Sequence, residues 1–495
     1  MLSDALTTAG PAAPAEATPK ALQRATAALS LQQALFGWHV ACANGPLGGD
    51  GVFTLRASAA FKGMSDGQEG AITSLLITGA FIGTFVPSLA AASALGRRKL
   101  LLLNNGAFVA GGVGCALAGG PASLALARLV AGLAVGVASV VCPLLVTEIA
   151  PAAQRGRLAA LLPVAMAVGM LGSGLASLAL QGRPDGWRAV MGWLPTLLAA
   201  ANAALCADMV PESPSWLARR GLSEEAVAVL KSLRPAGHDS DAEAAALAAE
   251  HEEATAASGP GLLTSAKRPL AIGVMLGVLQ KLTGSDVLIT FYSTTILQDA
   301  GFARTSTLLG TAVLQAWLAA MTYAGARAMD TSGRRSLLLW GTMAQAVALL
   351  AVGIVGMDHE ITSGEGGVSL LMLLLYIAGF ASGLGAVLSA LIPEIFEAQH
   401  RSRGVSLSFA ANWLTNLALS QWTFSLIDLF EGSAARADPK EPKRQGVSAL
   451  FLAFAATSAF AYWCVLLAAK PLLCCSSLAA SLAATLRRLH AICLV

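Results

Sequence analysis

The chain has 495 residues, of which 55% are hydrophobic and 12% charged, with a formal net charge of +3. A water-soluble domain carries about 25% charged residues, so this composition excludes a cytosolic enzyme or a disordered protein, and the near-neutral balance leaves no footprint for nucleic acid. The 50 glycines and a 6% aromatic share suit helices packed closely in lipid, where small residues let backbones approach.

Residues 1–23 are rich in Ala, Pro and Thr and lack a basic segment followed by an apolar core, so a flexible tail is expected rather than a cleavable signal. A membrane helix takes roughly 20 apolar residues. Twelve such runs follow, near 24–44, 70–92, 100–119, 122–147, 158–181, 188–208, 269–297, 305–326, 337–356, 367–392, 405–429 and 447–469. They are numbered here as spans 1 to 12. Spans 1 to 6 make a first bundle over 24–208, and spans 7 to 12 a second over 269–470. Between them, 209–268 is a polar linker. Ser223-Glu224-Glu225 reads there as an N-cap with acids in the first turn, and Ser240-x-x-Glu243 as a capping box. The tail, 471–495, carries Arg487, Arg488 and His490 and reads as an interfacial helix ahead of a thirteenth span. The cysteines lie in or beside apolar runs with no metal-ligand spacing, so they read as small hydrophobes, and Cys474 and Cys475 as candidates for palmitoylation.

Orientation follows from Lys and Arg in short loops. The loops after spans 2, 4, 8 and 10 hold Arg97, Arg98, Lys99, Arg155, Arg157, Arg327, Arg334, Arg335, Arg401 and Arg403, whereas those after spans 3, 5, 7 and 9 hold only Arg183, Arg188 and Arg304. Both termini are therefore expected in the cytoplasm. The outer loop 430–446 departs from the rule with four basic residues, partly offset by Glu431, Asp438 and Glu441.

The two bundles repeat. Glu148-Ile149 precedes Arg155 and Arg157, and Glu394-Ile395 precedes Arg401 and Arg403 at the same spacing; Gly96-Arg97-Arg98 and Gly333-Arg334-Arg335 each follow the second span of a half. Parallel six-span repeats are an architecture of secondary transporters. The positive-inside rule accounts for the arginines but not for the two glutamates at the membrane edge. A carboxylate beside guanidinium groups forms charge-assisted hydrogen bonds, and such bonds between the halves would latch the cytoplasmic face.

Within the spans, polar residues mark candidate sites. Span 11 carries Ser408, Asn412, Asn416 and Ser420 on one helix face, which must meet a neighbouring helix or a wet cavity. The two amides can donate to and accept from hydroxyls, and Trp413 adds a flat apolar face. Span 7 carries Gln280, Lys281, Thr283, Ser285 and Asp286 around Gly284. Lys281 either snorkels or sets a cation in the cavity, and it could pair with Asp286 only if Gly284 bends the helix. His39 in span 1 and Arg128 in span 4 are ionisable groups inside the membrane. A neutral core histidine and a proton carrier are both open for His39, and Asp286 is a second proton site. No HExxH, P-loop or GxSxG sequence suggests an enzyme.

At these residues the chain resembles the sugar porter family of the major facilitator superfamily. The resemblance rests on Pro211-Glu212-Ser213-Pro214-Ser215-Trp216-Leu217 after span 6, Asp330-x-x-Gly333-Arg334-Arg335 and Glu148-Ile149-Ala150-Pro151 with Arg155-Gly156. Gly186-Trp187-Arg188, Gln280-Lys281-Leu282-Thr283-Gly284 and Asn412-Trp413-x-x-Asn416 also fit. The fold it implies is all-α, twelve membrane helices in two six-helix bundles around a central cavity that opens to each side in turn. The implied activity is transport of a small polar solute, a hexose above all, by facilitated diffusion or proton symport. A polyol or small organic acid is the alternative cargo, and a non-transporting sugar sensor the rival class. The resemblance implies substrate contacts from Gln280, Thr283, Asp286, Ser389, Asn412, Trp413 and Asn416. Proton-coupling candidates are His39, Asp286 and Arg128, where proton-coupled relatives carry an Asp in place of His39. The gate it implies comprises Arg97, Glu148, Arg155, Asp330, Arg334, Glu394 and Arg401. It further implies no cofactor or metal, no nucleic acid, a small-molecule substrate with or without a proton, a monomer in the bilayer, and the plasma membrane ahead of an organelle. The chain departs from the pattern at Lys281, where a second Gln is usual, at Asp286 for Asn, at Ser389 for Trp and at Pro163 for Gln.

Overall fold

Lipid offers backbone N–H and C=O groups no partner, so a chain of this composition must satisfy them within helices. The computed structural model describes residues 18–47, 53–89, 94–235, 237–256, 266–285, 307–355, 363–431 and 444–468, and among these all regular structure is helical. Span 1 is Lys20–Ala41, span 2 Asp66–Gly83, span 3 Arg97–Ala116, span 4 Pro121–Ile149 and span 5 Arg155–Leu180. Span 6 is Leu194–Met209 after a wide turn at Ala189–Trp193. Span 7 is Lys267–Leu282 as far as the described residues go. Spans 8 and 9 run as Thr307–Val355 with a kink at Gly333. Span 10 is Ser363–Phe380 and Ala386–Glu394 around a wide turn, Ala381–Gly385; span 11 is Ala398–Glu431 and span 12 Arg444–Ala468. Among the described residues eight helices are long and apolar enough to cross a membrane. Asp286 and the interfacial tail from 472 lie outside the described residues.

Within the first half, span 4 packs on spans 2 and 3, and span 1 on spans 5 and 6; within the second, span 11 packs on spans 7 and 12. Glycines set the closest approaches. A Cβ on Gly37 would lie 1.9 Å from the Met166 carbonyl oxygen, and one on Gly169 at the same distance from that of Ala34, so spans 1 and 5 touch backbone to backbone. The halves meet where span 5 packs on span 8 and on span 10, and where span 11 packs on spans 2 and 4. One continuous apolar core crosses that boundary at the ends of spans 4 and 10, joining Leu145, Val146, Ile149 and Leu158 to Leu391, Ile392, Phe396 and Val405.

The repeat read from the sequence is a repeat of backbone geometry. Gly96 has φ 87° and ψ 164°, and Gly333 has φ 75° and ψ 155°. This region is essentially closed to residues with a Cβ, so the same glycine-only corner starts span 3 and span 9.

The linker holds the short helices Pro214–Arg219, Ser223–Leu233 and Ser240–Ala256, joined by a small core of Leu217, Ala226, Leu230 and Ala244. Ser213 caps the first, its hydroxyl accepting from the Trp216 N–H at 3.1 Å. The two other caps differ from expectation. Ser223 is the first helical residue, preceded by Leu222 without a side-chain cap. At the third helix Asp239 accepts from the Ala242 N–H at 2.9 Å. Glu243 does not fold back to complete a capping box, because Arg234 takes both its oxygens.

Candidate functional site

The central site begins where the span 7 helix breaks at Thr283–Gly284. Gly284 has φ 83°, and a Cβ there would meet the Phe454 ring at 2.6 Å. The helix end leaves carbonyls to be satisfied. Tyr376 of span 10 donates its hydroxyl to the Thr283 carbonyl at 3.0 Å, and Thr457 of span 12 donates to that of Leu282 at 2.6 Å. Thr283 and Ser285 turn their hydroxyls onto the Gln280 carbonyl, at 3.0 and 3.2 Å. Thr283, expected on the substrate, is thus fully buried and spends its side chain on the helix end.

Gln280 and Asn412 form one unit. The Asn412 amide nitrogen donates to the Gly277 carbonyl and to the Gln280 side-chain oxygen, both at 2.8 Å. Gln280 in turn donates to the Leu384 carbonyl at 3.1 Å, within the wide turn of span 10 where Gly383 leaves helical geometry. Such turns release carbonyls from the helix ladder. Ser408, one turn before Asn412 on span 11, packs on Gly273, so the first half of the polar stripe faces a glycine seam on span 7. Asn416 is 7% exposed, and among the described residues its amide makes no hydrogen bond. Ser389 donates to its own helix, to the Ala386 carbonyl at 3.4 Å.

Trp413 is a point where the halves meet near the centre of span 11. Its indole is 4% exposed. The ring lies 5.8 Å from Phe36 of span 1, and its N–H reaches Ser139 of span 4 at 3.4 Å. The Lys281 ammonium sits 5.7 Å from the ring centroid. That places Lys281 at the centre of the molecule rather than snorkelling to a surface. Phe36 and Ser139 are partners that no motif pointed to.

The membrane-embedded ionisable pair is organised differently from expectation. His39 is fully buried and stacks on Phe108 at 5.1 Å, and neither ring nitrogen finds a hydrogen-bond partner among the described residues. Arg128 does not touch that ring. Its guanidinium donates to the His39 carbonyl at 2.7 Å, the Ile72 carbonyl at 3.3 Å and the Cys42 sulfur at 3.4 Å.

At the end of the molecule that carries the Arg-rich loops the two repeats form the same ion pair. Arg97 meets Glu148 at 3.3 Å, and Arg334 meets Glu394 at 2.9 Å. The sequence reading expected the latch to bridge the halves, yet both direct pairs lie inside a half, because the glycine corner aims each arginine at the end of the fourth span of its own bundle. The crossing contacts are secondary. Arg334 also lies against Gly156 at the start of span 5, Arg155 is within electrostatic reach of Glu394 and Arg401, and Glu148 within reach of Arg219 and Arg401. Arg401 itself donates to the Phe396 carbonyl at 3.3 Å. The side chain of Asp330 lies outside the described residues.

Two anchors of this face escaped the sequence reading. Glu212, quoted only as part of a motif, caps span 3, accepting from the Arg97 N–H at 2.6 Å and from that of Arg98 at 3.3 Å. This carboxylate fills the space a Cβ on Gly96 would need. Arg234 ties the linker to span 4, donating to the Ile149 carbonyl at 2.8 Å and to both Glu243 oxygens at 2.9 and 2.6 Å. Hydrogen bonds from Arg234 hold the Glu243 carboxyl below the usual carboxylate range. Burial lowers Arg219 from the ordinary guanidinium value, with Glu148 acting in the opposite direction.

These features define an integral, multi-pass membrane protein of the major facilitator fold, two repeated bundles with a polar centre and a charged rim at one end. A solved structure of the proton:xylose symporter XylE bound to 6-bromo-6-deoxy-D-glucose superimposes with a TM-score of 0.77, covering 91% of this chain and 96% of the other at 24% identity. The chain belongs to the Sugar (and other) transporter family, whose model matches residues 25–470, and so stands among transporters, not enzymes. Among its relatives, the plastidic glucose transporter 4 of Arabidopsis thaliana is 28% identical over 85% of this chain and 72% of that protein. The D-xylose transporter of Levilactobacillus brevis is 30% identical over 73% of this chain and 79% of its own length.

Proposed function

We propose that this protein moves a monosaccharide across the membrane by alternating access, with spans 1, 4 and 5 on one side of the substrate and spans 7, 8, 10 and 11 on the other. The observation that carries the reading is Trp413, on which residues of spans 1, 4 and 7 converge. An aromatic face beside amides suits a ring with one apolar side and a rim of hydroxyls. Substrate contacts are assigned to Gln280, Trp413 and Asn416, with Asp286 and Ser389 as further candidates; Asn412 holds Gln280 in place. The gate is assigned to Arg97, Glu148, Arg155, Arg334, Glu394 and Arg401, with Asp330 beside them.

Facilitated diffusion is the favoured mode. His39 is sealed against Phe108, and among the described residues Arg128 meets backbone carbonyls and a thiol rather than a carboxylate. Proton symport is the second reading, supported by relatives named for it, such as the galactose-proton symporter of Escherichia coli. We place both termini on the cytoplasmic side on the strength of the Arg-rich loops, and we expect a monomer in the plasma membrane. A plastid residence, suggested by one relative's name, is separated by imaging a fluorescent fusion. Uptake of radiolabelled hexoses, pentoses, polyols and small organic acids in a transporter-null host at two pH values tests the whole reading. Saturable uptake of a monosaccharide supports it, and uptake of none refutes it. Substrate-dependent acidification of vesicles would replace diffusion by symport.

A further inference from the structure

Two glutamines of the second half are sealed in the fold with a side-chain oxygen that meets no donor. Gln315 of span 8 is 3% exposed and Gln345 of span 9 is fully buried. Among the described residues neither Oε1 accepts a hydrogen bond. A buried acceptor left this way is unfavourable, because burial strips its water and supplies nothing in return. The two residues differ in place. Gln345 lies inside the second half, its amide donating to the Gly341 carbonyl at 3.3 Å and its backbone packed on Gly379 of span 10. Gln315 lies on the boundary between the halves, where its Oε1 fills the space a Cβ on Gly174 of span 5 would take.

That contact belongs to the end of the molecule opposite the Arg-rich loops. At 1.5 Å per residue, Gln315 stands about 27 Å before the Gly333 corner, and Gly174 about 28 Å after Arg155. Leu314 and Leu318, to either side of Gln315, join Ala167 and Met170 of span 5 in an apolar cluster that crosses the boundary. The seam at this end is thus closed over an amide oxygen. Parting spans 5 and 8 toward an aqueous cavity gives that oxygen a donor. Its penalty therefore falls on the closed form alone, and only such a difference moves an equilibrium. The penalty at Gln345 is present in both forms and cancels.

We infer that Gln315 sets how readily the face opposite the Arg-rich loops opens: its oxygen, seated in the gap at Gly174, destabilises the closed seam. This rests on the alternating-access reading and adds to it a state-determining residue outside the substrate site.

The test uses the full-length protein in intact cells of a transporter-null host. A cysteine at position 170 in a cysteine-free background is labelled from outside with an impermeant maleimide. Gln315→Leu fills the seam without a polar atom and should slow labelling about 5- to 150-fold, the factor that corresponds to about 1–3 kcal/mol for one unpaired buried group. Gln315→Glu, which brings a carboxyl into the seam, should accelerate it. Gln345→Leu removes the same kind of oxygen from inside a half and should leave the rate unchanged. Thermal melts of the purified variants separate these shifts from loss of folding. Labelling of folded Gln315→Leu at or above the parental rate overturns the inference and leaves alternating access standing. Equal slowing in Gln345→Leu does the same. A folded parent that is never labelled at position 170 overturns both.

Discussion

Glu394→Gln is expected to shift the protein toward its inward-open form. The substitution keeps shape and removes one charge from a pair at 2.9 Å whose side chains are 17% and 15% exposed. The hydrogen bond itself contributes about 1.5–3 kcal/mol, but it lies inside the second half. Where it survives in both conformations it cancels, since only a difference between states moves an equilibrium. What does not cancel is the field across the boundary. Glu394 is, ahead of Glu243, a carboxylate within reach of Arg155, and its partner Arg334 lies against Gly156 of the first half. Without it, Arg155, Arg334 and Arg401 face one another when the face is shut. Partly exposed charge pairs contribute about 0.2–1 kcal/mol each, so the closed form should lose about 1–2 kcal/mol, a shift of roughly 5- to 30-fold. A cysteine at position 389 in a cysteine-free background, labelled from the cytoplasmic side with an impermeant maleimide, reads the shift as a rate. Labelling should accelerate by that factor. Glu69→Gln, which breaks the Arg56 pair (2.7 Å) at the outer face, should leave the rate unchanged. An unchanged or slower rate in folded Glu394→Gln would refute the gate.

Three further expectations follow from other parts of the fold. Asn412→Ala should lower thermal stability and exchange together, since it strips partners from the Gly277 carbonyl and Gln280, at about 1–3 kcal/mol for each group left unpaired; Asn416→Ala should lower exchange while the melt stays in place, and equal melting losses would contradict the assignment. Gly96→Ala should depress the unfolding temperature by the equivalent of about 1–3 kcal/mol, because a Cβ would sit 2.3 Å from Glu212. Gly106→Ala, in the same helix with open space around it, is the control and should be neutral or stabilising. Glu243 has its folded pKa lowered by Arg234, so its stabilisation is complete above the unfolded carboxylate value of ~4.3 and fades as pH falls through the lower folded value. The gap in melting temperature between wild type and Glu243→Gln should therefore be widest at neutral pH and close on acidification; a gap that grows in acid would contradict the sign.

Much of this fold was legible because two of its devices are local. Each is written within a few residues, the glycine corner as Gly-Arg-Arg at 96–98 and 333–335 and the carboxylate as Glu148 and Glu394, each seven residues before an Arg, so their recurrence in order announced duplicated bundles. The site was legible as a set of residue types but not as an arrangement. Asn412 stands on the face that sequence periodicity assigned, yet which neighbour it meets is decided by Gly273 and Gly277 on a helix more than a hundred residues away. The satisfaction of the span 7 end by Tyr376 and Thr457 is likewise a property of three packed helices, and neither residue carries a local signature. Arg234 likewise carries no local signature, and only the fold brings the Ile149 carbonyl within its reach.

The placement of the two ion pairs bears on how such a molecule can switch. Had the arginine–carboxylate bonds bridged the halves, each opening would break buried charge pairs, at about 3–5 kcal/mol apiece. Instead Arg97–Glu148 and Arg334–Glu394 stiffen the ends of their own bundles. The contact across the boundary is left to an apolar seam, Leu145 and Ile149 against Leu391 and Phe396, with weaker charge contacts at its rim. Apolar burial is non-directional and scales with area, so it closes the face without demanding a unique alignment. The rim charges then set the balance in steps of about 1 kcal/mol. Rigid halves with a soft seam keep both conformations within reach of the modest free energy that binding one small solute provides.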